Sequence, residues 1–160
     1  MDDAAHDEFH WRETYYILFE APQRPTLEQV EGALEGLSQR VKLTNTVADD
    51  EGRFESLMLH SPDDYAALEI NYETGQAIID QSADLVKLLS AEAEPEQLDR
   101  LTKADARLDI MHFEQIVSDT GDDDGEDEML DPSCLLLVVE ALTNLTGGIP
   151  VDPASGEILQ

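Results

Sequence analysis

The chain has 160 residues, 41% of them hydrophobic, which is enough to build a core and excludes wholesale disorder. Its 37 Asp and Glu against 9 Lys and Arg give a formal net charge of −28. That charge argues against a direct grip on nucleic-acid phosphates or anionic membranes, both of which need a basic surface. A single cysteine, Cys134, rules out an intrachain disulfide and a cysteine-based zinc site.

Residues 1–12 read as a polar lead. They hold no basic stretch followed by an apolar run, so they are not read as a secretory signal, and the run "CLLLVV" is too short to span a bilayer. A cytoplasmic protein is expected. Glu13 to Ala21, rich in aromatic and β-branched residues, predicts a buried strand, broken by "PQRP". Thr26 to Leu37 predicts a helix. Thr26 and Gln29 have capping-box spacing, and Leu27, Val30, Leu34 and Leu37 form its apolar stripe. Gly32 and Gly36 weaken this helix and are expected to allow close packing. Val41 to Val47 alternates, which places Val41, Leu43 and Val47 on one face. Phe54 to His60 returns after the turn "ADDEGR", so a hairpin is expected.

Tyr65 to Glu73 alternates again and predicts a strand. From Gln76 the period becomes helical, with Ile78, Ser82, Leu85 and Leu89 on one side, and Pro95 opens a second short helix. Ala106 to Ile116 predicts a strand with Leu108 and Ile110 opposite Met111 and Phe113. An acidic loop, 118–130, leads to Asp131 as N-cap and Pro132 as first residue of a final helix. That helix is apolar almost all round. Leu135, Leu136, Val138, Val139 and Leu142 are expected to be buried, and Cys134 to be a small core residue. Gly147 and Gly148 end it, and "IPV" and "EIL" predict a short terminal hairpin. The order points to one α+β domain over 13–160: a mixed sheet with helices packed on it, with a ferredoxin-like β-α-β-β-α-β core plus a C-terminal helix and hairpin.

Four groups of residues bear on chemistry. The loop aligns imperfectly with a calcium-binding loop, which needs oxygen ligands at alternate positions and a glycine at the sixth. With Gly125 as that glycine, Asp122, Asp124, Glu126, Glu128 and Asp131 are the candidate metal ligands. Thr120 and Asp131 at the first and twelfth positions depart from the pattern, and a solvated acidic linker is the plainer reading. His6 and His10, four apart, would share a helix face, but no third ligand is recognisable. His112 alternates with Ile110 and Glu114 and has the chemistry of a general base. Glu140 interrupts the most apolar helix, as either a buried carboxylate or that helix's solvent stripe. Trp11, Tyr15 and Tyr16 lack the basic neighbours of a nucleic-acid stacking surface. No catalytic residue set and no cofactor is expected.

The first functional expectation is therefore a non-enzymatic acidic interaction or regulatory domain. Its acidity would serve solubility or a saline habitat, since the charge is spread along the whole chain rather than gathered in a docking patch, and any protein partner would be a basic one. The second is a small ligand-binding domain or enzyme using His112, Glu114 or Glu140. The third is a nucleic-acid mimic that binds a basic protein, which requires carboxylates concentrated on one face.

Overall fold

The computed structural model describes residues 9–37, 41–61, 66–89, 93–115 and 133–159. The elements are β1 (Phe9–Phe19), α1 (Leu27–Glu35), β2 (Lys42–Ala48), β3 (Phe54–Ser61), β4 (Ala66–Thr74), α2 (Gln76–Leu89), α3 (Pro95–Lys103), β5 (Ala106–Gln115), α4 (Ser133–Thr146), β6 (Ile149–Asp152) and β7 (Glu157–Ile158). The seven strands form one sheet in the order β2-β3-β4-β5-β1-β6-β7. All its pairings are antiparallel.

The α+β class is as expected, but the sheet is not mixed. A single helix between two strands carries the chain back to the starting end and makes them parallel. Two helices, α2 and α3, return it to the end it left. Thr74, the last residue of β4, therefore pairs with Ala106, the first of β5, and Gly75 N donates to Asp105 O across the gap. The ferredoxin-like core is not confirmed. Its split βαβ unit encloses one strand, whereas β3, β4 and β5 all lie between β1 and β2. β1 also starts at Phe9, so the last four residues of the expected polar lead belong to the sheet.

Helices cover both faces. On one, Val30 and Leu34 of α1 and Leu135, Val138, Val139 and Leu142 of α4 pack over Ile17, Leu57, Leu59, Leu68, Ile70, Leu108 and Ile110. On the other, Ile78, Leu85 and Leu89 of α2 and Leu101 of α3 pack over Leu18, Ile149 and Val151. The alternation read from the sequence sorts residues between the two faces.

Three local expectations are corrected. Leu136 is 50% exposed and Leu137 43%, although Leu135, Val138, Val139 and Leu142 are buried. α4 rests on one face of the sheet and against α1, so it has a solvent side despite its apolar sequence. Val47 does not share a face with Leu43. The register shifts between Thr44 and Val47, with Asn45 at φ 52°, so Val47 stands opposite Ser56 on the α2/α3 side. A second shift at Glu55 turns Phe54 back into the core. Gly32 permits no close approach, because a Cβ there would meet nothing within 4 Å. The close approach is at Gly148, where a Cβ would lie 2.7 Å from Leu18 O and 2.8 Å from Ile17 Cγ2. The acidic loop 118–130, with Asp131 and Pro132, lies outside the described residues. Among the described residues, no helix is long and apolar enough to cross a membrane.

Candidate functional site

Among the described residues, α2 and α3 pack on part of their face of the sheet. α2 packs on β4 and β5 near the junction that follows Thr74, and α3 on β1 and β6. On this face, cross-strand register aligns two rows of side chains. One row is Thr14, Met111, Glu69 and Met58 on β1, β5, β4 and β3; the next is Trp11, Phe113, Ala67 and His60. A bulge at Arg12 keeps Trp11 and Thr14 on the same face though three residues apart. The Trp11 Nε1–H accordingly donates to Thr14 Oγ1 at 2.8 Å. Trp11 is 59% exposed, and Met58, Met111, Phe113 and Glu69 are half-buried. Glu69 accepts from Asn71 Nδ2 at 3.3 Å and is bracketed across the strands by two methionines.

Under α2, on the same face, lies a charged network. The Arg107 Nε–H donates to Asp109 Oδ1 at 2.5 Å, Arg107 Nη1 donates to Gln81 Oε1 on α2, and Glu73 Oε1 is 3.7 Å from Nη2. The guanidinium stacks 3.9 Å from the Tyr16 ring centroid. Burial pushes the Asp109 carboxyl up to about 6, against the opposing pull of Arg107 and with a further push from Glu73. Chemically this is a clamp joining α2 to the sheet, since Arg107 holds Gln81 of α2 and lies against Glu73 of β4 while bonded to Asp109 on its own strand.

The opposite face carries the residues singled out from the sequence. The β1 bulge sets Glu13 opposite His112, and His112 Nδ1 lies 2.5 Å from Glu13 Oε2. Arg12 pairs with Glu114, and His10 stands across from Glu114 in the register. His112 and Glu114 are thus brought into one cluster with Glu13 and Arg12. Nearby, burial raises the Tyr15 hydroxyl above its usual phenol range, with Glu13 and Asp152 adding to the effect. A carboxylate beside an imidazole nitrogen orients the ring and can exchange a proton with it.

The remaining expectations are separated. Glu140 is exposed, the solvent-stripe alternative, and takes no part in the cluster. His10 lies in a strand, so helical spacing to His6 does not apply, and His6 is outside the described residues. Asp122, Asp124, Glu126, Glu128 and Asp131 are likewise outside them. Among the described residues, no group of three or more His, Cys, Asp or Glu side chains is placed to hold a metal ion. Sequence reading missed the Arg107 network and the Glu69 row. The first had a signal, since "ARLDIMHF" puts Arg107, Asp109, Met111 and Phe113 on one side of a strand whose other side is core. The second had none, because it needs three strands in register. No family model, no curated protein and no solved structure matches the chain.

Proposed function

We propose that this chain is a non-enzymatic, acidic interaction or regulatory domain of the cytoplasm, whose partner is a basic protein met on the open part of the α2/α3 face. The observation that carries the reading is that face: among the described residues, the exposed Trp11 stands in register with half-buried Phe113, and half-buried Met58 and Met111 stand one row away. Apolar sheet surface of this kind, rimmed by polar residues, marks docking. The net charge of −28 sets the sign of the partner, because complementary charge steers encounter and like charge repels. Exposed carboxylates stand on both sides of the sheet, Glu28 and Glu35 on α1 and Asp80 and Asp84 on α2. That distribution favours general acidity, whether for solubility or for a saline habitat, over a nucleic-acid mimic with one charged face. The test is capture of partners by the tagged chain from its native host, at about 0.15 M salt and again at about 1 M. A basic protein held at the lower salt and released at the higher is expected. If no basic protein is held at either salt, the reading is wrong.

A second reading, a small ligand-binding or proton-transfer site, is favoured by the half-buried His112–Glu13 pair beside Arg12 and Glu114. Its test is the His112 ring resonance during titration with a panel of small organic acids. A saturable shift that Glu13→Gln abolishes supports it, and a ring that responds to none of them argues against it.

A further inference from the structure

Glu69 is unlike the acidic residues that serve solubility. Those are exposed, as Glu28 and Asp80 are, while Glu69 is half-buried in the interior of the sheet, on β4, with β3 and β5 on either side. Its direct cross-strand neighbours are Met58 and Met111, close enough for side chains to touch. Its carboxylate accepts from the Asn71 amide. The arginines of β1 and β5 pair with other carboxylates, Arg107 with Asp109 and Glu73, and Arg12 with Glu114 on the far face, while Lys42 and His60 stand in the row next to Glu69. A cation that arrives with its own apolar stem can pair with this carboxylate while the stem covers the methionines beside it.

Resting on the interaction-domain reading above, we propose that Met58, Glu69 and Met111 form the docking position for one arginine or lysine side chain, carried on an extended cationic segment of the partner. The aliphatic stem lies between the methionines, whose flexible thioethers adapt to it, and the charged head pairs with Glu69. One row away, the exposed ring of Trp11 offers a face for the segment's next cationic or apolar side chain. The chain already uses this chemistry internally, with Arg24 stacked 4.0 Å from the Tyr72 ring centroid and Arg107 on Tyr16. Charge complementarity selects this occupant over a second copy of the chain, since two copies would bring together −28 and −28.

Trp11 is the single tryptophan, so its emission reports on this face. The probe is a short synthetic peptide of alternating valine and arginine, titrated in about 0.15 M salt. A saturable blue shift of Trp11 is expected. Glu69→Gln, which removes one charge without changing shape, should weaken binding about tenfold. Glu96→Gln, the same charge change on the exposed surface of α3, should leave affinity within about twofold. Met58→Ala, which alters no charge, should weaken binding several-fold. An unsaturable shift, or equal weakening by the Glu69 and Glu96 variants, overturns the proposal in favour of diffuse attraction. The failures of the two readings are distinguishable. A basic host protein that still binds Glu69→Gln undiminished docks elsewhere, which leaves the interaction reading standing and removes this site. If the peptide binds through Glu69 but the host offers no basic partner, the site stands and the interaction reading falls.

Discussion

Asp109 and Arg107 stand two apart on β5 and face α2, and their pairing shows which physical term wins at a buried charge. Arg107 is 7% exposed and donates to the Asp109 carboxylate, which alone would hold that carboxyl low. Burial outweighs it, and the folded carboxyl sits at about 6 rather than near its ordinary 3.8. The folded state therefore binds this proton more tightly than the unfolded chain does. The contribution of Asp109 to stability is fullest below the unfolded value and is lost as pH rises from about 4 through about 6. Carbon-detected NMR should give Asp109 a titration midpoint near 6, and Asp109→Asn should flatten that part of the stability curve. A midpoint near 4 would mean that Arg107 dominates after all.

At the level of elements, α4 and its exit into β6 are where sequence pattern and environment diverge. Leu142 is fully buried against the sheet and α1, while Leu136, on the same apolar helix, is half exposed. Leu142→Ala should cost about 2–5 kcal/mol through lost burial and a residual cavity, and Leu136→Ser less than about 0.5 kcal/mol; urea unfolding of both measures the contrast. Equal costs would mean that both faces of α4 are buried. The two glycines behave oppositely. Gly32→Ala in α1 meets open space and should stabilise by about 0.5–1 kcal/mol through helix propensity alone. Gly148→Ala drives a methyl into the Leu18 carbonyl and Ile17, and should lower the melting temperature. The edge strand β2 is interrupted by its register shifts and the left-handed Asn45, a device that discourages edge-to-edge pairing of sheets.

For the molecule as a whole, net charge is the dominant external variable. Ion pairs such as Arg53–Asp49, Arg24–Asp49 and Lys103–Asp99 engage the scarce cations, and the large surplus of carboxylates repels itself. Screening shortens the reach of that repulsion to about 3 Å at 1 M salt. The melting temperature should therefore rise between low-salt buffer and about 1 M KCl, as calorimetry would show, more than it does for a variant with several exposed glutamates changed to glutamine. An unchanged or lower melting temperature in KCl would set aside salt adaptation as the origin of the acidity. Salt should act in the opposite sense on the proposed partner complex, weakening it while the free domain gains stability.

The sequence by itself determined the order and nature of the elements, because each rests on a local signal. Thr26 and Gln29 form the capping box they spell, with Thr26 Oγ1 accepting from Gln29 N and Gln29 Oε1 accepting from Thr26 N. Alternation in β3 to β5 and the helical period from Gln76 place most core residues correctly, since a side chain's face depends only on its neighbours along the chain. The tertiary structure decided what depends on distance in space. It chose an antiparallel sheet over a mixed one, because the strands joined by a single helix, β1 with β2 and β5 with β6, are not neighbours, and the neighbours β4 and β5 are joined by two helices. It moved Val47 to the far face through a bulge that alternation cannot show, and it exposed Leu136 because a helix on a sheet has a solvent side whatever its composition. His112 was legible as a candidate, but not its partner Glu13, which reaches it across 99 residues by a register set at Arg12. Glu69 between Met58 and Met111 was not legible at all. Each is an unremarkable strand residue until β3, β4 and β5 are laid side by side, and only that pairing turns three separate side chains into one surface.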